Sequence, residues 1–144
     1  MTKEELNQLE EPKKSKSKPK AAIRWLTGLL NTDAPQTTGN LGSWERGFCC
    51  LGYGCEIENI PYSSSDGMSQ DFQKRVGLRD EEGIPFFKND DGKWESYAFE
   101  LHSCVEMNDS ERDSFKEIAE TLIDNATAYF ETKVANKIIE HFNN

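Results

Sequence analysis

Gly47-Phe48-Cys49-Cys50-Leu51-Gly52-Tyr53-Gly54-Cys55 is the stretch on which the reading of this chain turns. It holds no charge, in a chain of 144 residues that is 30% charged. Small, apolar and aromatic residues gathered in this way belong inside a fold. Over so short a run, periodicity does not separate a helix from a strand. Gly52 and Gly54 leave room for other backbones to approach, and reduced cysteines between them act as small apolar residues. The stretch therefore reads first as a buried packing element.

Two chemical readings stand beside that one. Cys49, Cys50 and Cys55, with His102 and Cys104 some fifty residues later, are the inventory of a Cys3His zinc site. Zinc sites put two to four residues between their cysteines, whereas here the first two are adjacent, and neighbours on one backbone rarely both point at one metal. Alternatively, Cys50 at a helix start is a candidate nucleophile, with His102 as its base. No acidic partner for His102 and no oxyanion motif stands out near the stretch. The expectation is no metal and no cofactor, and a chain that leans away from being an enzyme.

Outward from this centre, residues 21–31 carry Ala22, Ile23, Leu26, Leu29 and Leu30 at helical spacing, and Pro35 closes that helix. Residues 36–42 read as loop, as do residues 63–67. Ser69 caps a short helix that carries Phe72 and Val76 and ends at Gly77. Residues 84–99 read as a β-hairpin around Asn89-Asp90-Asp91-Gly92. Asp109 or Ser110 opens the next helix, with Ser110 and Asp113 as a capping box. Its apolar stripe runs from Phe115 to Phe142, with a bend or break at Asn125-Ala126-Thr127. If unbroken, its second half projects and offers a route to homo-oligomers. Asn108-Asp109, ahead of that helix, is a candidate metal ligand or carbonyl-polarising pair, although a turn and N-cap suits it better. Trp25, Trp44, Tyr53 and Trp94 are candidates to stack on a base, with packing the plainer role.

Together these elements predict an α+β fold: one small domain over residues 21–144, with a short hairpin packed on several helices, a long C-terminal helix and a helical extension from 126. Residues 1–20, rich in Lys, Ser and Pro, read as a mobile basic tail.

Charge and hydropathy narrow the function. The chain carries 17 basic and 26 acidic residues, a net −9. Residues 1–20 hold six lysines against four glutamates, and the remaining 11 basic and 22 acidic residues leave residues 21–144 at −11. Such a body repels phosphate, which disfavours nucleic acid as its partner and leaves only a weak contact to the tail. No apolar run is long enough to span a bilayer, and the N-terminus lacks a signal-peptide core, so the expectation is a cytoplasmic protein with reduced cysteines and no membrane partner.

Four blocks, in order, carry a resemblance: Trp25 with Leu29 or Leu30, then Gly39 and Leu41; Cys49-Cys50-Leu51-Gly52-Tyr53-Gly54-Cys55; Phe72 to Leu78; and Met107-Asn108-Asp109 followed by Ser114-Phe115-Lys116-Glu117-Ile118-Ala119. They resemble a family of small uncharacterised bacteriophage and prophage proteins with a Cys-Cys-Leu-Gly-x-x-Cys signature and a Leu-Asn-Asp…Phe-x-x-Ile-Ala helix. Met107 departs from the family's leucine. The resemblance implies a viral protein acting in the cytoplasm of an infected bacterium, and it brings no catalytic residues. The expected role is accessory: host takeover or anti-defence, through binding a host protein or a small signalling molecule. A cysteine- or zinc-dependent enzyme and a minor virion or assembly component are the alternatives. Arg46, Cys50, Tyr53, His102, Asn108 and Asp109 are the candidate binding residues.

Overall fold

A computed structural model describes residues 16–43, 45–63, 67–96 and 101–143. The organising element is helix α1, Pro19–Asn31. Proline at its first turn needs no hydrogen-bond partner, and Ala21, Ala22, Trp25, Leu26 and Leu29 form a fully buried face. The helix begins two residues before the sequence expectation. The chain ahead of it is docked as well: Ser17 is buried and Lys18 N donates to Arg75 O at 2.8 Å. The expected basic tail is thus shorter than residues 1–20, and residues 1–15 lie outside the described residues.

A small antiparallel pair follows, β1 (Gly42–Ser43) with β2 (Gly47–Phe48). It delivers the chain into helix α2, Cys50–Ile57, so the cysteine stretch is a helix. The two glycines decide how that helix packs. A side chain at Gly52 would run into the Leu41 carbonyl, and one at Gly54 would meet the Phe72 ring and lie 3.0 Å from Trp25. Only glycine lets α2 approach α1 and the β1 chain this closely.

Helix α3, Gln70–Val76, matches its sequence signals at both ends. Ser69 Oγ accepts from Phe72 N, and Gly77 takes the left-handed conformation (φ 75°). Strands β3 (Phe86–Lys88) and β4 (Trp94–Ser96) form the hairpin, with Phe87 opposite Glu95. The expected continuation through Tyr97-Ala98-Phe99 falls outside the described residues.

The C-terminal part departs from expectation in detail. Helix α4, Cys104–Asp109, was not foreseen; Asp109 ends it instead of opening its successor. The capping boxes are Ser103 with Glu106 and Ser114 with Glu117, not Ser110 with Asp113. Both true boxes have the Ser-x-x-Glu pattern, and the longer glutamate reaches back to its own cap. Between them Arg112 sits at φ 54°, and Asp113 N closes the turn on Met107 O at 2.8 Å.

The apolar stripe then divides into α5 (Phe115–Asp124), α6 (Ala126–Tyr129) and α7 (Thr132–Phe142). The break falls at Asn125, as the sequence allows, with a second at Phe130-Glu131. The helical extension therefore does not project. Val134, Ala135 and Ile138 are fully buried, and α7 folds back on α1 beside α5. That removes the exposed apolar face on which homo-oligomerisation was argued. The architecture is α+β: helices around α1 and two small antiparallel sheets. Among the described residues no helix is long and apolar enough to cross a membrane.

Candidate functional site: the Asn108 hub and the recess beside Arg112

The cysteines are placed by α2 and α4 in the core. All four are free and buried. Cys49 is the N-cap of α2, its Sγ accepting from Gly52 N at 3.3 Å. Cys50 is fully buried, and its Sγ donates to the Cys104 carbonyl at 3.7 Å. Cys55 lies near Ser69. Burial pushes the Cys49 thiol up to about 12 and the Cys55 thiol up to about 11. Hydrogen bonding to Cys104, then burial, raises Cys50 well above an ordinary thiol. All three shifts favour the protonated thiol, which is neither a nucleophile nor a metal ligand.

His102 is elsewhere in character. Its ring is half exposed and sits beside two carboxylates, Glu106 at 3.5 Å and Glu111 at 3.1 Å. It precedes α4, in a stretch without regular secondary structure. Its ion pairs are with these two carboxylates, whereas the Cys50 thiol is bonded to the Cys104 carbonyl. Among the described residues, no three of His, Cys, Asp or Glu converge on a point where a metal ion would fit. The enclosed space bordered by Cys49, Cys50, Asn108 and Asp109 measures about 10 Å³, room for a water at most.

Tyr53, expected as a candidate for stacking on a ligand, stacks within the protein. It lies 5.7 Å from Phe115 and 6.4 Å from Phe48, with its hydroxyl against Gly28. Trp25 is fully buried and donates to Cys50 O at 2.9 Å. Trp94 is covered by the Arg79 guanidinium, 4.1 Å from its ring; Trp44 is outside the described residues. Arg46 is exposed in the turn between β1 and β2, where its backbone N donates to Ser43 Oγ at 3.3 Å.

Asn108 is the residue that gathers structure around it. It is only 1% exposed, yet its amide group makes four hydrogen bonds. Oδ1 accepts from Gln36 Nε2 at 2.8 Å and from Cys50 N at 3.2 Å. Nδ2 donates to Thr37 O and to Asp109 Oδ1, both at 2.8 Å. Asp109 Oδ1 also accepts from Gly39 N at 3.0 Å, and Gln36 Nε2 donates to Asp113 O at 2.8 Å. One side chain thus ties three segments together: loop 36–39, the first turn of α2, and the end of α4. The expected turn-and-cap role of Asn108-Asp109 is corrected to an internal polar hub.

The hub shapes an open recess of about 380 Å³, lined by Gln36, Thr37, Thr38, Asn108 and Arg112. Its lining holds one cation and no carboxylate. Neither Thr38 nor Arg112 spends its side chain on another described residue. Sequence reasoning found Asn108 and Asp109 but missed Gln36, Thr37, Thr38 and Arg112. They come from a loop and a left-handed turn with no periodicity to betray them.

Comparison of the chain with protein-family models, curated proteins and solved structures gives no match.

Proposed function

We infer that this chain is an accessory bacteriophage protein that works by binding, and that the recess beside Arg112 holds a small polar ligand in the host cytoplasm. The observation that carries the reading is the Asn108 hub. A buried side chain with every hydrogen-bonding group engaged fixes loop 36–39 and so pre-organises the recess. At about 380 Å³ the recess suits a metabolite-sized ligand. Arg112 and Thr38 supply donors for its acceptor groups, as a signalling nucleotide or an organic anion requires. Support for binding over cysteine chemistry comes from the thiols, all buried, with three of them held protonated. The viral assignment rests on the four sequence blocks alone.

The test is native mass spectrometry of the protein isolated from bacteria, beside the variant Arg112→Ala. A small-molecule adduct on the wild type that the variant loses is the expected result. Absence of any adduct, together with no calorimetric binding across a panel of nucleotides and carboxylates, overturns the proposal.

A further inference from the structure

A second surface carries charge of the opposite sign to the body. Lys16, Lys18, Lys20 and Lys74 are all exposed. Lys18 N is bonded to Arg75 O, which fastens the segment before α1 along the end of α3. Lys20 lies one turn before Arg24 on the same face of α1. Arg24 grips the Glu58 carboxylate with two hydrogen bonds at 2.7 and 2.8 Å, and Arg75 approaches the same carboxylate at 3.7 Å. Glu58, its side chain 2% exposed, therefore anchors two arginines beside the lysines. Six cations share this edge with three acids: Glu58, Asp71, and Glu131, whose carboxylate accepts from Ser17 Oγ at 2.8 Å. A recess of about 250 Å³ opens there, lined by Lys16, Lys74, Arg75 and Asp71, with Ile60 and Pro61 as its apolar wall.

Local structure does not call for these lysines. Helix α1 has no side-chain cap and no acid in its first turn, and Lys18 and Lys20 sit at its positive end, where cations are unfavourable. The four exposed lysines make no ion pair with a described residue. Lys13 and Lys14 precede them in the sequence and extend the same run.

We propose that this edge, Lys16-Lys18-Lys20 with Lys74 and Arg75, is a binding surface for the phosphate backbone of nucleic acid. The row of cations extends beyond the recess, as a polymer of phosphates requires, whereas a single phosphate would need only the recess. No aromatic is among the residues that line this recess, so contact is to the backbone and is independent of base sequence. The acidic remainder of the body confines the nucleic acid to this edge.

The test is fluorescence anisotropy of the full chain with labelled 20-nucleotide single strands of two unrelated sequences. With about four lysine–phosphate contacts, affinity falls about 50-fold between 50 and 200 mM salt, equally for both sequences. The variant Lys16→Gln/Lys18→Gln/Lys74→Gln leaves one of those contacts, and its loss over the same salt range shrinks to about 3-fold. Replacing the same three by arginine preserves binding, and the control Lys116→Gln/Lys137→Gln leaves it unchanged. The proposal is overturned by absence of binding at 50 mM salt, by a triple glutamine variant that binds as tightly as wild type at 50 mM salt, or by equal binding of polyglutamate or of anionic lipid vesicles. These lysines do not line the Arg112 recess, so either surface can fail without the other.

Discussion

Replacing Asn108 by alanine removes four hydrogen bonds at once. Their losses are unequal. Cys50 N belongs to the first turn of α2, in the core, and without Asn108 Oδ1 it has no acceptor there. Thr37 O and Gln36 border the open recess, where water replaces part of what they lose. An orphaned buried donor costs about 1–3 kcal/mol and each exchanged bond about 1, so the substitution destabilises the fold by about 3 kcal/mol. That is a large share of the roughly 5–15 kcal/mol that holds a domain together. For a chain of this length it lowers Tm by about 10 °C. Urea unfolding followed by tryptophan fluorescence reads the change, with Trp25 in the core as reporter. Asp109→Ala, which loses only the Gly39 and Asn108 contacts, should cost about 1 kcal/mol. If Asn108→Ala came within 1 kcal/mol of wild type, or Asp109→Ala cost as much, the hub would not organise this region.

Other substitutions probe separate links. Asn108→Asp puts a buried carboxyl against Asp109, which raises its folded pKa above the unfolded one; its stability is therefore best at low pH and falls as pH rises, and the gap to wild type should widen from pH 4 to pH 8 in urea titrations. Gly52→Ala drives a methyl group into the Leu41 carbonyl and should cost about 1–3 kcal/mol or more, measured by thermal unfolding, whereas alanine at exposed Gly67 changes little. Ser103→Ala breaks the α4 capping box and should cost about 1 kcal/mol at pH 7. Bonding to the Ser103 backbone N–H, which alanine at 103 would keep, holds the Glu106 carboxyl below its usual range, so its contribution is present above that range and lost as pH falls through the lowered value; the deficit of Glu106→Ala should shrink in acid.

The parts of the fold legible in the sequence are those written in local chemistry. The α1 face, the Ser69 cap, the Gly77 stop and the Asn89–Gly92 turn each depend on residues a few positions apart. Helix α4 was hidden because six residues are too few to show a period, and its start signal, Ser103 with Glu106, was overlooked in favour of Ser110. The breaks in the C-terminal stripe were half visible: Asn125 marks one, but Phe130 gives no sign of the other. It pairs with Leu78, a partner more than fifty residues away. The candidate site follows the same division. Asn108 and Asp109 stood out as an amide and a carboxylate side by side ahead of the predicted helix. Gln36 and Arg112 join them only through tertiary hydrogen bonds and a left-handed turn, neither of which has a sequence period.

The account rests on the cysteine stretch being a packing element beneath a binding surface, and counting thiols tests that most directly. The native protein, treated with a chromogenic disulfide reagent at pH 8, should react at none of its four cysteines over minutes and at all four once unfolded in urea. A native Cys50 that reacts as fast as a free thiolate, and slows on His102→Ala, would contradict the account and restore the nucleophile.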